Sequence, residues 1–258
     1  MADGNAAPKK NADLPVRIAS AVVMALVAGG AVWAGGLVFS FFLLALTGGL
    51  LWEWWGLVSK IAKTPLGLFG AMLLGVAYIG WALKVVHCLW VSPHPDTFAA
   101  DLFLVTAVMV VAVDVGAYFA GRTFGGPKIA PSISPSKTWS GLAGGAAFCA
   151  IAVGAVEYIA NGLACGIGGC GPAGAKFGPG EIGIALCLGT LIAVIAQAGD
   201  FLESWMKRQA GVKDSGNLIP GHGGLFDRLD GHLMVFATLP AVVYLFMAVA
   251  AYFFHGIR

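Results

Sequence analysis

The chain has 258 residues, 59% of them hydrophobic and 11% charged, against roughly 25% charged in an ordinary soluble domain, and its mean hydropathy is +0.85. These proportions exclude a water-soluble globule, a disordered chain and a collagen-like one, because there are too few polar side chains to cover a particle of this size and no Gly-X-Y period. Fifteen basic and thirteen acidic residues leave a net charge of +2, too near balance for electrostatic binding of nucleic acid.

Residues 1–15 are polar and carry Lys9 and Lys10, and the apolar stretch that follows outlasts a signal-peptide core, so it reads as an uncleaved anchor. Val16 to Val58 holds only Arg17 and Glu53 as charges and is long enough for two spans of about 20 residues that turn near Gly35 and Gly36. Leu66 to Leu83 predicts a third span, Phe98 to Ala120 a fourth, Thr138 to Ala160 a fifth, Glu181 to Gly199 a sixth and Gly231 to Phe254 a seventh. Lys84 to Val91 reads as a short embedded piece, so the count is about seven, extending to eight or nine. The fold class is all-α: a polytopic integral membrane helical bundle in one membrane domain, residues 16–254.

Seven spans group the basic residues unevenly. Twelve of them (Lys9, Lys10, Arg17, Lys60, Lys63, Arg122, Lys128, Lys137, Lys207, Arg208, Lys213 and Arg228) fall on one side, and Lys84, Lys176 and Arg258 on the other. Positive charge collects on the cytoplasmic side, which predicts a cytoplasmic N-terminus and an exterior C-terminus. The Asn161 to Gly180 loop is then exterior, and Cys165 and Cys170 within it form either a small disulfide loop or a free-thiol turn. No Cys or His spacing suits zinc.

Asp114 lies inside the fourth apolar run, about 12 Å of helix from Arg122, and intramembrane carboxylates are costly enough to mark a site more often than a packing pair. Asp114, Tyr118 and Arg122 share a helix face. Glu53, among Trp52, Trp54 and Trp55, reads instead as an interfacial acid in an aromatic belt. The loop from Gly121 to Gly141 offers cations, hydroxyls and glycines to phosphate, or a polybasic surface to anionic lipid.

The segment DFLESWMKR puts Asp200, Glu203, Ser204, Lys207 and Arg208 on one face of a helix continuing the sixth span. Acids followed by cations suit a hard dication and phosphate, or equally an interfacial helix with internal salt bridges. KDSGNLIPGHGGLFDRLD, from Lys213 to Asp230, then packs three Asp, one His and four Gly into a connector, with Asp227 and Asp230 one turn apart.

At these residues the chain resembles the phosphatidate cytidylyltransferase family, the CDP-diacylglycerol synthases. The match runs through Ser204, Lys207, Arg208, Lys213, Asp214, Pro220, Gly221, His222, Gly223, Gly224, Asp227, Arg228 and Asp230, with two further blocks, DVGAYFAGRTFG from Asp114 and SPSKT from Ser134. It departs at Ser140, where members often carry Glu. The resemblance implies transfer of CMP from CTP to phosphatidic acid, giving CDP-diacylglycerol and pyrophosphate, with Mg2+ and room for a second metal ion.

On that reading residues 16–97 are an N-terminal helical region and residues 98–254 the catalytic region. Asp200, Asp227, Lys207 and Lys137 carry catalysis. Asp200 and Asp227 are the leading metal ligands, with Asp114, Glu203 and Asp230 in support. Arg122, Ser134, Ser204, Arg208, Lys213, Asp214, His222, Gly223, Gly224 and Arg228 bind substrate. The protein is expected in a bacterial inner membrane with its site facing the cytoplasm, with no nucleic-acid partner and as a homodimer, to which Gly144 and Gly145 offer close helix contacts. A transporter is the main rival, but the polar residues gather on one side instead of at midplane and no inverted repeat is evident. A CDP-alcohol phosphotransferase lacks its Asp-Gly-x-x-Ala-Arg opening here, and a membrane scaffold leaves the long signature unexplained.

Overall fold

The computed structural model describes residues 14–91, 97–168 and 179–255. Among them are seven helices, α1 (Leu14–Ala34), α2 (Gly36–Ile61), α3 (Pro65–Trp90), α4 (Thr97–Phe124), α5 (Trp139–Gly168), α6 (Pro179–Gln209) and α7 (Phe226–His255). A two-stranded antiparallel hairpin, β1 (Lys128–Ala130) and β2 (Ser134–Thr138), stands between α4 and α5. All seven helices are long and apolar enough to cross a membrane, so the all-α membrane bundle expected from hydropathy is the fold observed.

Local chemistry sets the helix limits. Gly35 and Gly36 take φ of 60° and 47°, a left-handed turn that glycine adopts without strain and that reverses the chain between α1 and α2. Thr64 caps α3 by accepting the Gly67 N–H at 3.1 Å, with Pro65 as first helical residue. The segment Lys84 to Val91 is not a separate piece: nothing breaks the helix, and α3 runs on to Trp90. Helix α5 continues to Gly168, eight residues past the expected end, so part of the expected exterior loop is helical. The Cys165 side chain and all of Cys170 lie outside the described residues, so their pairing does too.

The core falls into two clusters. One joins α1, α2, α3, α7 and the first half of α4 through large side chains, Phe39, Trp54, Trp90, Phe103, Phe226 and Phe236 among them. Three indoles in this half spend their N–H on main-chain carbonyls: Trp54 on Ala71 at 3.0 Å, Trp90 on Val32 at 3.1 Å and Trp81 on Ala237 at 2.9 Å. Ala237 lies one turn before Pro240, where the helical ladder is interrupted. The other cluster joins α4, α5, α6 and part of α7 around Val110, Cys149, Ala193 and Val235. Here the backbones approach closely: a methyl built on Gly116 would lie 2.6 Å from Phe148 Cβ, and one on Gly189 2.8 Å from the Ala146 carbonyl oxygen. Gly144 and Gly145, expected to serve a dimer, are used up against α4, where methyls built on them would lie 2.8 Å from the Gly116 oxygen and 3.0 Å from the Val113 oxygen.

Three contacts bring distant polar segments to one end of the bundle: Arg17 with the Gly221 carbonyl, Glu53 with the start of α7, and Lys137 with Asp200. These are the segments that the uneven distribution of basic residues assigns to a common side.

Candidate active site

Helix α6 does not stop at Gly199. A methyl on Gly199 would lie 2.9 Å from the Asp230 carbonyl carbon, and one on Gly231 3.7 Å from Asp200 Oδ1, so paired glycines let α6 and α7 cross where both acids sit. The Asp200 and Asp230 carboxyls face one another at this crossing. The ammonium of Lys137, delivered by β2, pairs with Asp200 Oδ2. Burial alone would lower the Lys137 pKa, but the Asp200 charge and hydrogen bond, helped by Asp114 and Asp230, outweigh it and hold the value above that of an ordinary lysine.

One turn further on, Lys207 Nζ bridges Glu203 Oε2 and Asp227 Oδ1, each at 2.7 Å. Glu203 is buried, and its Oε1 has no hydrogen-bond partner among the described residues. Asp227 is the junction of the connector. Its Oδ2 accepts the Gly224 N–H at 2.8 Å, the Ser215 hydroxyl at 2.9 Å and the Ser215 N–H at 3.0 Å. Its carboxylate, in the first turn of α7, also meets the positive end of the helix dipole.

The connector itself is a tight turn, with Ile219 N–H donating to the Gly223 carbonyl at 3.0 Å, and Gly221 and Gly223 at φ of 75° and 83°. His222 Nδ1 meets the Ser20 hydroxyl at 2.7 Å, and the Arg228 guanidinium donates to the His222 carbonyl through Nη2 at 2.8 Å. Arg17 Nε donates to the Gly221 carbonyl at 2.9 Å, so α1 clamps the turn.

Glu53 departs from its expected role. It is only 2% exposed, and it caps α7: Oε1 accepts the Leu225 N–H at 2.9 Å and Oε2 the Phe226 N–H at 2.7 Å, with the Ser215 hydroxyl at 3.2 Å. Gly224 leaves room for it, since a methyl there would lie 2.8 Å from Glu53 Oε2. A lone acid in an apolar helix was the available signal, and its position among tryptophans masked it. Ser215, a single serine in a loop, carries no sequence pattern that marks its bonds to Glu53 and Asp227.

Asp114, Ser134, Ser136, Lys137, Asp200, Ser204, Asp227, Arg228 and Asp230 line one polar cavity of about 400 Å3. A second of about 400 Å3 adjoins it, sharing Asp114, Ser136 and Lys137 and adding Tyr118, Arg122, Thr138 and Gln197. Arg122 lies over the Tyr118 ring and donates to its hydroxyl at 2.9 Å. Arg208 donates to the Ile133 carbonyl at 3.3 Å, and Lys213 and Asp214 are exposed in the connector and line neither cavity. Ser140, where a Glu was expected, ties the hairpin to the end of α4 by donating to the Gly125 carbonyl.

The first cavity sets four aspartates against Lys137 and Arg228. Its donors are hard oxygens, which suit Mg2+. Among the described residues no three acidic, His or Cys side chains are close enough to enclose an ion alone, so substrate oxygens and water would complete its shell.

Comparison with known proteins defines the class. The cytidylyltransferase family model matches residues 55–247, and the chain belongs to that family. Among its relatives, the phosphatidate cytidylyltransferase of Brucella suis biovar 1 (strain 1330) is 32% identical over 93% of this chain and 95% of its own length. Those of Haemophilus influenzae and Bacillus subtilis (strain 168) are 36% and 32% identical, each over 69% of this chain and over 61% and 59% of their own lengths.

Proposed function

We propose that this chain transfers the cytidylyl group of CTP to phosphatidic acid, forming CDP-diacylglycerol and releasing pyrophosphate. The observation that carries the reading is the polar cavity at the α6–α7 crossing, in which acids and cations from four segments of a membrane bundle converge. An oxygen of the lipid phosphate attacks the α-phosphorus; a P–O bond forms as the bond to the β-phosphate oxygen breaks, and pyrophosphate carries the electron pair away. The attacking oxygen is anionic at neutral pH and needs no strong base, so positioning and charge neutralisation supply the rate.

Lys137 stays protonated and presents its charge to phosphate, Arg228 and Arg122 add cations to the two adjoining cavities, and Arg208 and Lys213 supply further positive charge on the same α6 and connector segments. Lys207 acts chiefly by holding Asp227 and Glu203, to which it is paired. His222, Gly223, Gly224 and Asp214 shape the turn that Asp227 gathers, and Ser134 and Ser204 offer hydroxyls at the wall. Mg2+ would be held by Asp200 and Asp227, with Asp114 and Asp230 nearby and Glu203 behind them, and would neutralise phosphate charge during the displacement. A tetra-anionic nucleotide entering a pocket with four aspartates and two cations calls for such a dication.

We also infer that the site faces the cytoplasm of a bacterial inner membrane, where CTP is available, on the strength of the twelve-to-three distribution of basic residues. A homodimer, if formed, uses a face other than Gly144 and Gly145. The test is purified protein with phosphatidic acid, radiolabelled CTP and Mg2+. Labelled lipid and pyrophosphate in equal amounts are expected, and label appearing only as free CMP, or no reaction, would overturn the reading. Cysteines placed near Lys128 and Gly216 should react with impermeant reagents only from the cytoplasmic side.

A further inference from the structure

A third cavity, of about 450 Å3, lies between α1, α2, α3, α4 and α7. Its wall is almost wholly apolar, with Val27 from α1, Phe42 from α2, Leu83 from α3 and Phe236 from α7. His232 also lines it, but the ring is hydrogen-bonded to the Ala107 backbone. Arg228 lines both this cavity and the polar one, with its aliphatic stem toward the apolar side, so this residue stands where the two meet. From Arg228 to Phe236 the wall descends about 12 Å along α7, which is the direction in which a lipid chain leaves a headgroup at the surface. One side is thin: in α1 only Ala31 is buried, so the helix covers the cavity without being locked into the core.

We propose that this cavity is the acyl-chain subsite of the lipid phosphate substrate, with Arg228 at the junction of the two cavities and α1 as the thin side wall. The inference rests on the reading that the acceptor is phosphatidic acid. An amphipathic acceptor needs an apolar space continuous with the polar cavity, and a volume of this order is what a ligand of that size occupies. An annular lipid held by bulk solvation would have no reason to sit under a cation shared with the polar cavity.

Val27 lies ten residues beyond Arg17, about 15 Å deeper along α1, out of reach of a six-carbon chain. Val27→Trp, and separately Val32→Trp still deeper on the same helix, should therefore raise KM for dioleoyl phosphatidate about tenfold, the equivalent of roughly two lost buried methylenes. KM for CTP, and KM for dihexanoyl phosphatidate, should stay as in the unmodified protein. Equal changes for both chain lengths, or none, would overturn the subsite while leaving the activity intact. An unmodified protein that transfers no label to either lipid removes the proposed function, and the subsite with it. Should both variants fail to insert, photoreactive phosphatidate carrying a diazirine midway along its chain decides the matter in the unmodified protein. Labelling of α1 and α7 peptides that excess phosphatidate suppresses and phosphatidylcholine does not supports the subsite; equal suppression by both overturns it.

Discussion

The two halves of the bundle are packed by opposite means. In α4, α5 and α6, glycines at 116, 144, 145 and 189 bring backbones into contact, and little space is left between them. Among α1, α2 and α3 the gaps are spanned by Phe39, Trp54 and Trp90, joined by Phe103 from the first half of α4, and large rings meeting edge to face leave the apolar cavity beside them. Without a hydrophobic force between helices in lipid, close contact is the tighter solution and bulky contact the looser one. The polar cavity is built where the tight half meets α7, and the apolar cavity lies mainly in the loose half, with the first half of α4 closing one side. A rigid wall suits groups that must hold phosphate oxygens in line, and a looser wall suits a chain that must enter from the bilayer.

If the seam between the halves is where chemistry happens, the largest effect will come from its central carboxylate. Asp200→Asn keeps the side chain's shape and should insert normally while kcat falls by about 10²–10³ and the Mg2+ needed for half-maximal activity rises. Near-normal turnover with an unchanged metal requirement would falsify the placement of the metal at Asp200. Asp227→Asn is the less clean test, because that carboxylate also accepts three bonds from Ser215 and Gly224 and a fourth from Lys207. Loss of folding is expected there together with loss of activity.

The contrast in packing can be tested directly with one substitution in each half. Gly116→Val must displace Phe148 and the Gly144 carbonyl, so destabilisation of about 1–3 kcal/mol is expected. Gly80→Ala in α3 meets nothing within 4 Å and should be neutral or stabilising by up to about 1 kcal/mol. Thermal unfolding in detergent, followed by tryptophan fluorescence, measures both. Equal effects at the two sites would remove the distinction.

Glu53 joins the loose half to the seam. Glu53→Gln replaces a charge that caps α7 with a neutral amide, one end of which can only donate, and should lower stability by about 1–3 kcal/mol. KM for CTP should rise with it as the turn loosens, and Glu53→Asp should restore part of both. A stable variant with unchanged kinetics would show that the loop holds itself.

How far the sequence carried this depends on the kind of signal. Hydropathy located seven spans because lipid demands long apolar helices, and charge spacing located Asp200 to Arg208 on one helical face. The α4–α5 hairpin left no strand pattern, since its strands are three and five residues long and rich in Ser and Lys. The Glu53 cap was illegible for a different reason: its partners are main-chain N–H groups 172 and 173 residues away, which no side-chain pattern records. Local period reveals faces; it does not reveal which backbone a face will meet. The apolar cavity is a further step removed, because it depends on what large side chains fail to fill.

The smallest expected effect concerns Lys137, on the tight side of the seam. Its folded pKa is raised, because Asp200 and the acids around it outweigh the cost of burial, so the folded state holds this proton more firmly than the unfolded chain does. The stabilisation is therefore complete below the ordinary lysine value of 10.5 and is lost only as pH rises from there through the folded pKa. Between about pH 6 and 9 the stability difference between the unmodified protein and Lys137→Met should not fall, because neither state releases the lysine proton in that window and the facing acids, Asp200, Asp114 and Asp230, can only strengthen the pairing as they ionise. Above it the difference should shrink as the unfolded lysine begins to deprotonate. Unfolding midpoints across this range measure the slope. A difference that falls steadily between pH 6 and 9 would mean that the ion pair at the seam loses its cation near neutrality, and that Lys137 does not present a fixed positive charge to phosphate.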